Sequence, residues 1–124
     1  MSKAAFFHID EAPRKEMRYN RGTMIELIND KLGATQLDLH INVLRPGSAP
    51  GPYHYHERAE NIYIILSGVA RIVIEDEEHF VGPEQVVFIP PGLKHSTSCW
   101  GHMPLKLIEI YAPLGPDFHE VQEE

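Results

Sequence analysis

The chain has 124 residues, 43% of them hydrophobic, and carries 11 Lys+Arg against 18 Asp+Glu for a formal net charge of −7. That length suits a single domain spanning 1–124, the apolar share excludes disorder of the whole chain, and the acidic balance excludes a general attraction to nucleic-acid phosphates. The lone cysteine, Cys99, excludes an internal disulfide and no apolar run approaches a bilayer's thickness, so a cytoplasmic protein without membrane partners is expected.

Strand patterns then dominate in chain order. Met24, Ile25, Leu27 and Ile28 form a short apolar run. From Gln36 to Leu44 the chain alternates strictly, with Leu37, Leu39, Ile41 and Val43 on one face and Gln36, Asp38, His40 and Asn42 on the other. That period of two belongs to a half-buried strand. The Pro- and Gly-rich run from Arg45 to Pro52 breaks regular structure. Further strands are expected at Tyr53–His56, Asn61–Leu66, Val69–Ile74, His79–Val81, Gln85–Ile89 and Leu105–Tyr111, with tight turns at Ser67-Gly68 and Asp76-Glu77. Only Asp117 to Glu123 suggests a helix, of one or two turns. Many short strands with Pro/Gly turns predict an all-β sandwich or closed barrel.

Histidines are unusually common, and His54 and His56 stand at i and i+2 on a strand, so both project to one face and can converge on one ion. Glu60 and Asn61 open the next strand, and His95 follows the turn Pro90-Pro91-Gly92. In these residues the chain resembles the cupin family. His54, His56 and Gly68 match that family's first motif, and Pro90, Gly92 and His95 match its second. The resemblance covers about Leu44 to Cys99, and it implies a double-stranded β-helix (jelly-roll) barrel whose core runs over about 35–112. It further implies that His54, His56 and His95 are ligands to one divalent transition metal ion: Mn, Fe, Ni, Zn or Cu. The motif's glutamate position falls on Asn61, while Glu60 keeps an allowed spacing from His56 only. Asn61 is the preferred fourth ligand because it satisfies both spacings, and Glu60, reached through a bulge, is the alternative. An Asn there leaves the site one charge more positive than Glu would.

Other residues read less specifically. Glu109 interrupts an apolar strand, either as an exposed edge charge or as a pocket carboxylate. His40 is either solvated or barrel-lining, His79 belongs to the surface, His102 to a loop near the barrel mouth, and Cys99 reads as a structural thiol. Tyr63 lines the pocket if Asn61 does. The functional expectation is a metalloenzyme acting on a small polar or anionic molecule. The alternative is a non-catalytic small-molecule-binding or sensor module with a weakened metal site. Apolar residues on both faces of the strand from Ile62 to Leu66 point to a homodimer, with Phe6, Phe7 and Ile9 either crossing to the partner or covering their own barrel.

Overall fold

The computed structural model describes residues 3–122, and nearly all of its regular structure is strand. The strands are β1 (Arg14–Glu16), β2 (Gly22–Ile28), β3 (Asp38–Leu44), β4 (His54–Tyr55), β5 (Glu60–Ser67) and β6 (Val69–Ile74). They continue as β7 (Glu77–Val81), β8 (Val86–Ile89), β9 (His95–Trp100), β10 (Leu105–Ala112) and β11 (His119–Glu120). They form a larger sheet in the order β1-β2-β3-β10-β5-β8 and a smaller one in the order β11-β4-β9-β6-β7. Every pairing is antiparallel. The two sheets share one core, in which Leu44, Tyr63, Ile65, Leu105 and Leu107 of the larger meet Ala70 and Ile72 of the smaller. This is the jelly-roll barrel expected from the sequence.

Register in the larger sheet decides what the barrel encloses. Met24, Asn42, Leu107 and Ile65 lie side by side across four strands, and the next inward row is Glu26, His40, Glu109, Tyr63 and Val87. A third row holds Asp38, Tyr111, Asn61 and Ile89. Residues two apart on one strand share a face, so these rows stack into a wall that is apolar at one end and polar at the other.

This register settles which face of β3 looks inward, a point its alternation had left open. Its polar face, with His40 and Asn42, looks into the barrel, while Ile41 is buried on the outer side with Ala12 and Ile25, flanked by Leu27, Val43 and Ile108. The segment before β1 covers that outer patch, held by a hydrogen bond from Glu26 N–H to the Pro13 carbonyl at 2.9 Å. Ahead of it, Phe6 remains 92% exposed.

Three elements differ from expectation, the first being β1, whose residues Arg14, Lys15 and Glu16 are all charged and exposed and so show no apolar pattern. Strand β9 was not legible because Ser96, Thr97 and Ser98 offer no hydrophobic contrast for a period of two to show. The helix expected over Asp117–Glu123 does not form within the described residues. Instead the Asp117 carboxylate is taken by backbone N–H groups of Glu57, Arg58 and Ala59, and β11 pairs with β4. An Asp committed to a distant turn cannot cap a local helix. The turn between β6 and β7 is centred on Glu75 and Asp76, both at positive φ. At Gly68 (φ +78°) a Cβ would stand 2.4 Å from the Pro104 carbonyl oxygen, so the β5–β6 turn accepts only glycine.

Candidate metal centre

Three histidines converge from the smaller sheet. His54 on β4 faces His95 on β9 directly across the ladder, and His56 follows two residues later on the same side of the chain. Each offers one ligand nitrogen, and the three atoms lie within 4.8 Å of one another. Their tautomers follow from their partners. Nδ1 of His54 meets the Pro52 carbonyl at 2.8 Å, Nδ1 of His56 the Asp117 carbonyl at 2.8 Å, and Nδ1 of His95 the Leu93 carbonyl at 2.9 Å. A carbonyl only accepts, so each Nδ1 carries a hydrogen, and in the neutral form of each ring the lone pair lies on Nε2. Nε2 of His56 and of His95 are buried without any partner.

Burial, reinforced by the neighbouring His95, lowers the pKa of His54 to about 4. Burial also pushes His95 down. At neutral pH these two rings are neutral donors, the form a metal requires. Two unpaired Nε2 atoms in a dry site cost free energy that a cation would recover. The donor set fits a divalent transition ion, and three imidazoles do not select one metal from another.

Asn61 stands on β5 of the larger sheet. It is fully buried, and its amide N–H₂ donates to Glu109 Oε2 at 3.0 Å and to the Ile110 carbonyl at 3.1 Å. The amide orientation is thereby fixed, and its Oδ1 is buried with no partner. Glu60, the alternative, is exposed at the start of β5 beside Ala112 and is no part of the histidine cluster.

Glu109 is the residue whose weight was hidden in the sequence. It lies inside the barrel, not at an edge, and its Oε1 accepts from His40 Nε2 at 3.0 Å and from Asn42 Nδ2 at 2.8 Å. His40 Nδ1 in turn donates to Asp38 at 2.6 Å. Burial alone would neutralise both partners, but their mutual bonds and charges win. Glu109 is held at about 2, chiefly by His40 and then by Asn61 and Asn42, and His40 is raised to about 9 by Asp38 and Glu109. A negative charge thus stands directly behind Asn61, which offsets the charge the motif loses by having Asn in place of Glu. The only early signal was a single acidic residue in an otherwise apolar strand.

The segment around Asp117 adds to the site. Asp117 accepts the N–H groups of Glu57, Arg58 and Ala59 at 2.9 Å each, which holds its carboxyl well below the usual carboxylate range against the opposing effect of burial. That carboxylate pins the turn after His56, while the Asp117 carbonyl orients the His56 ring. Phe118 stacks on His54 with centroids 4.2 Å apart. A cavity of about 580 Å³ opens beside the cluster, bordered by His54, His56, Tyr63, Glu109 and Phe118. Burial pushes the Tyr63 hydroxyl far up, so it stays protonated. His79 and His102 are exposed and outside the site. Burial raises the Cys99 thiol, which donates to the Met103 carbonyl at 3.1 Å and so fits a structural role.

Comparison with known proteins agrees with this geometry. The cupin-domain family Cupin_2 matches residues 40–111, more than half of the chain. Mannose-1-phosphate guanylyltransferase RfbM of Salmonella typhimurium is 39% identical over 67 residues, covering 54% of this chain and 14% of that protein. The chain spans about a seventh of the length of the curated relatives it matches. Among solved structures, the polyketide cyclase RemF from Streptomyces resistomycificus superimposes with a TM-score of 0.80 at 25% identity, over 100% of this chain and 88% of that one. Oxalate decarboxylase from Lactobacillus farciminis superimposes with a TM-score of 0.77 at 19% identity, over 93% of this chain and 35% of that one, and that likeness concerns the fold alone.

Proposed function

The chain belongs to the cupin-domain family, and from that premise we propose that it is a metal-dependent enzyme acting on a small polar or anionic molecule in the barrel cavity. The observation that carries this is the unpartnered Nε2 of His56 and His95 beside His54, three imidazole donors converging where nothing in the protein satisfies the two buried ones. His54, His56 and His95 would hold one divalent ion, with Asn61 Oδ1 as the fourth ligand. Such an ion supplies Lewis acidity and can make a bound water nucleophilic. The chain's own groups do the rest: Phe118 and Tyr63 border the cavity against water, Glu109 holds Asn61 in place, and protonated Tyr63 offers a donor.

The polyketide cyclase and the oxalate decarboxylase catalyse different reactions, so the barrel is compatible with several chemistries and names none. A binding or sensor module would rest on a metal site weakened by Asn61, and the Glu109 carboxylate behind that residue weighs against it. The same reading includes a cytoplasmic setting and a homodimer. Leu66, Val86 and Phe88 are 42%, 63% and 54% exposed at the β5–β8 edge of the larger sheet, an apolar strip that a second copy would cover.

The deciding experiment is elemental analysis of protein purified without an affinity tag, followed by a substrate screen on the metal-loaded form. Stoichiometric metal and turnover that depends on it are expected. Retention of metal by all three His→Ala variants would overturn the assignment of the site.

A further inference from the structure

Among the described residues the cavity holds a cation with no hydrogen-bonding or ion-pairing partner, attracted only at longer range by Glu109. Arg21 precedes β2 and is fixed through its backbone, its carbonyl accepting from Arg45 N–H at 2.8 Å. Its side chain borders the same cavity as His54 and His56. Among the described residues its guanidinium makes no ion pair and no hydrogen bond, and its Nε is buried without a partner. The acids that share the cavity are committed elsewhere. Glu109 accepts from His40, Asn42 and Asn61, Asp117 accepts three backbone N–H groups, and Glu16 takes Thr23 and Arg45. Lys15 and Arg18, also on the cavity wall, add positive charge at a place where the chain as a whole is acidic.

The seat of this guanidinium is built. A Cβ on Gly51 would stand 2.7 Å from Arg21 Nη2, so the side chain rests directly on a glycine backbone. That glycine is itself held by its N–H donating to the Thr97 carbonyl at 3.1 Å. Two further polar atoms on β3 and β9 are buried and unpartnered, Asn42 Oδ1 and Thr97 Oγ1. Both residues border the cavity. Asn42 donates its amide N–H₂ to Glu109, so its free oxygen is left to accept a hydrogen from a ligand.

We infer that Arg21 is the anion-recognising residue of this cavity, and that the ligand is a small organic carboxylate bearing a hydroxyl or N–H donor for Asn42. The inference deepens the enzyme reading above, since it names the substrate class of the same cavity. A guanidinium with a free Nε presents parallel N–H donors that match the two oxygens of a planar carboxylate. Charge comes from the half-buried Arg21, and the donor group supplies the second point that fixes orientation. Met17, Met24, Leu44 and Leu107 give the remaining wall an apolar character suited to a carbon skeleton.

The test uses mandelate, which has a carboxylate, a hydroxyl and an apolar ring, against its uncharged counterpart mandelamide and against inorganic phosphate. Binding is measured by calorimetry on metal-free protein and followed by the ¹⁵N shift of the Arg21 Nε. Mandelate is expected to bind saturably, with mandelamide and phosphate weaker by about tenfold or more. Arg21→Gln should lose the same factor without a lower melting temperature. Gly51→Ala keeps the charge but displaces the guanidinium from its seat, and should weaken mandelate as well. It decides the matter if Arg21→Gln fails to fold. Equal binding of mandelamide, tighter binding of phosphate, absence of mandelate binding, or an unchanged affinity in the two variants would each overturn the inference. Zinc titration of the same variants separates the two readings. Loss of zinc uptake by the wild type refutes the metal site and leaves the carboxylate result standing on the metal-free arm.

Discussion

Two polar clusters face one cavity from opposite sheets, and they are satisfied in opposite ways. On the larger sheet, Asp38, His40, Glu109, Asn42 and Asn61 bond to one another, and His40 and Glu109 hold full charges inside the barrel, while the Oδ1 atoms of Asn42 and Asn61 stay without partners and face the same ligand space. On the smaller sheet, His54, His56 and His95 turn their Nδ1–H groups to backbone carbonyls and leave their Nε2 atoms empty-handed. Burial acts on both. In the first cluster opposite charges overcome it and His40 stays cationic to about 9, while in the second like neighbours reinforce it and His54 falls to about 4. A buried group that has all its partners serves architecture, whereas one that lacks them marks where a ligand belongs.

The largest effect should come from removing a donor of the unsatisfied cluster. His95→Ala, His54→Ala or His56→Ala should each cost metal affinity beyond the ~10–100-fold typical of an outer-shell partner. The check is metal retained after dialysis against a weak chelator, and full retention would mean that the clusters do not differ as described.

Next in size is Glu109→Gln, which leaves cationic His40 buried with Asp38 alone. A loss of about 3 kcal/mol in urea unfolding is expected. Adding His40→Gln should restore part of it, and additivity of the two changes would show that the pair is not coupled. Because Asn61 donates to Glu109 at 3.0 Å, Asn61→Asp should also destabilise, by placing two carboxylates in contact.

Asp117→Ala removes the acceptor of three backbone N–H groups and loosens the turn that carries His56. A stability loss of about 2–3 kcal/mol is expected. A further fall in metal affinity, read by calorimetry, distinguishes this variant from a merely local lesion.

A further effect of comparable size is in pH. The pKa of His40 is raised from 6.5 to about 9 in the folded protein, so its contribution is fully present below 6.5 and is lost as pH rises through 9. Stability measured by denaturation should decline over that window, and the His40 imidazole resonance should titrate near its upper end. Titration near 6.5 would break the contrast between the clusters.

What the sequence disclosed follows the same division. The His54–His56 pair was legible because local spacing on a strand determines which side chains share a face, and His95 with the Pro90–Gly92 turn was legible through the resemblance to the second cupin motif. Strand β5 and the apolar runs were legible by hydrophobicity. Glu109 and its partners were not, because their meeting depends on the β3–β10–β5 register, which brings together residues far apart in the chain. For the same reason the inward turn of the polar face of β3 was hidden: period two shows that a strand has two faces, and only the cover supplied by Ala12 shows which face lies outside. Arg21 and Gly51 carried no pattern at all.

The clasp that Asp117 closes around residues 57–59 has a consequence for biosynthesis. All three histidines emerge from the ribosome before the residue whose carbonyl orients His56 and whose carboxylate fixes the turn behind it. A nascent chain that has exposed β9 already owns the three imidazoles, yet His56 is not held in register until some twenty further residues have been translated, the separation between positions 95 and 117 being read from the chain itself. Capture of a metal ion is therefore expected only after Asp117 has been translated and β11 has paired with β4, and it would report that this segment has docked.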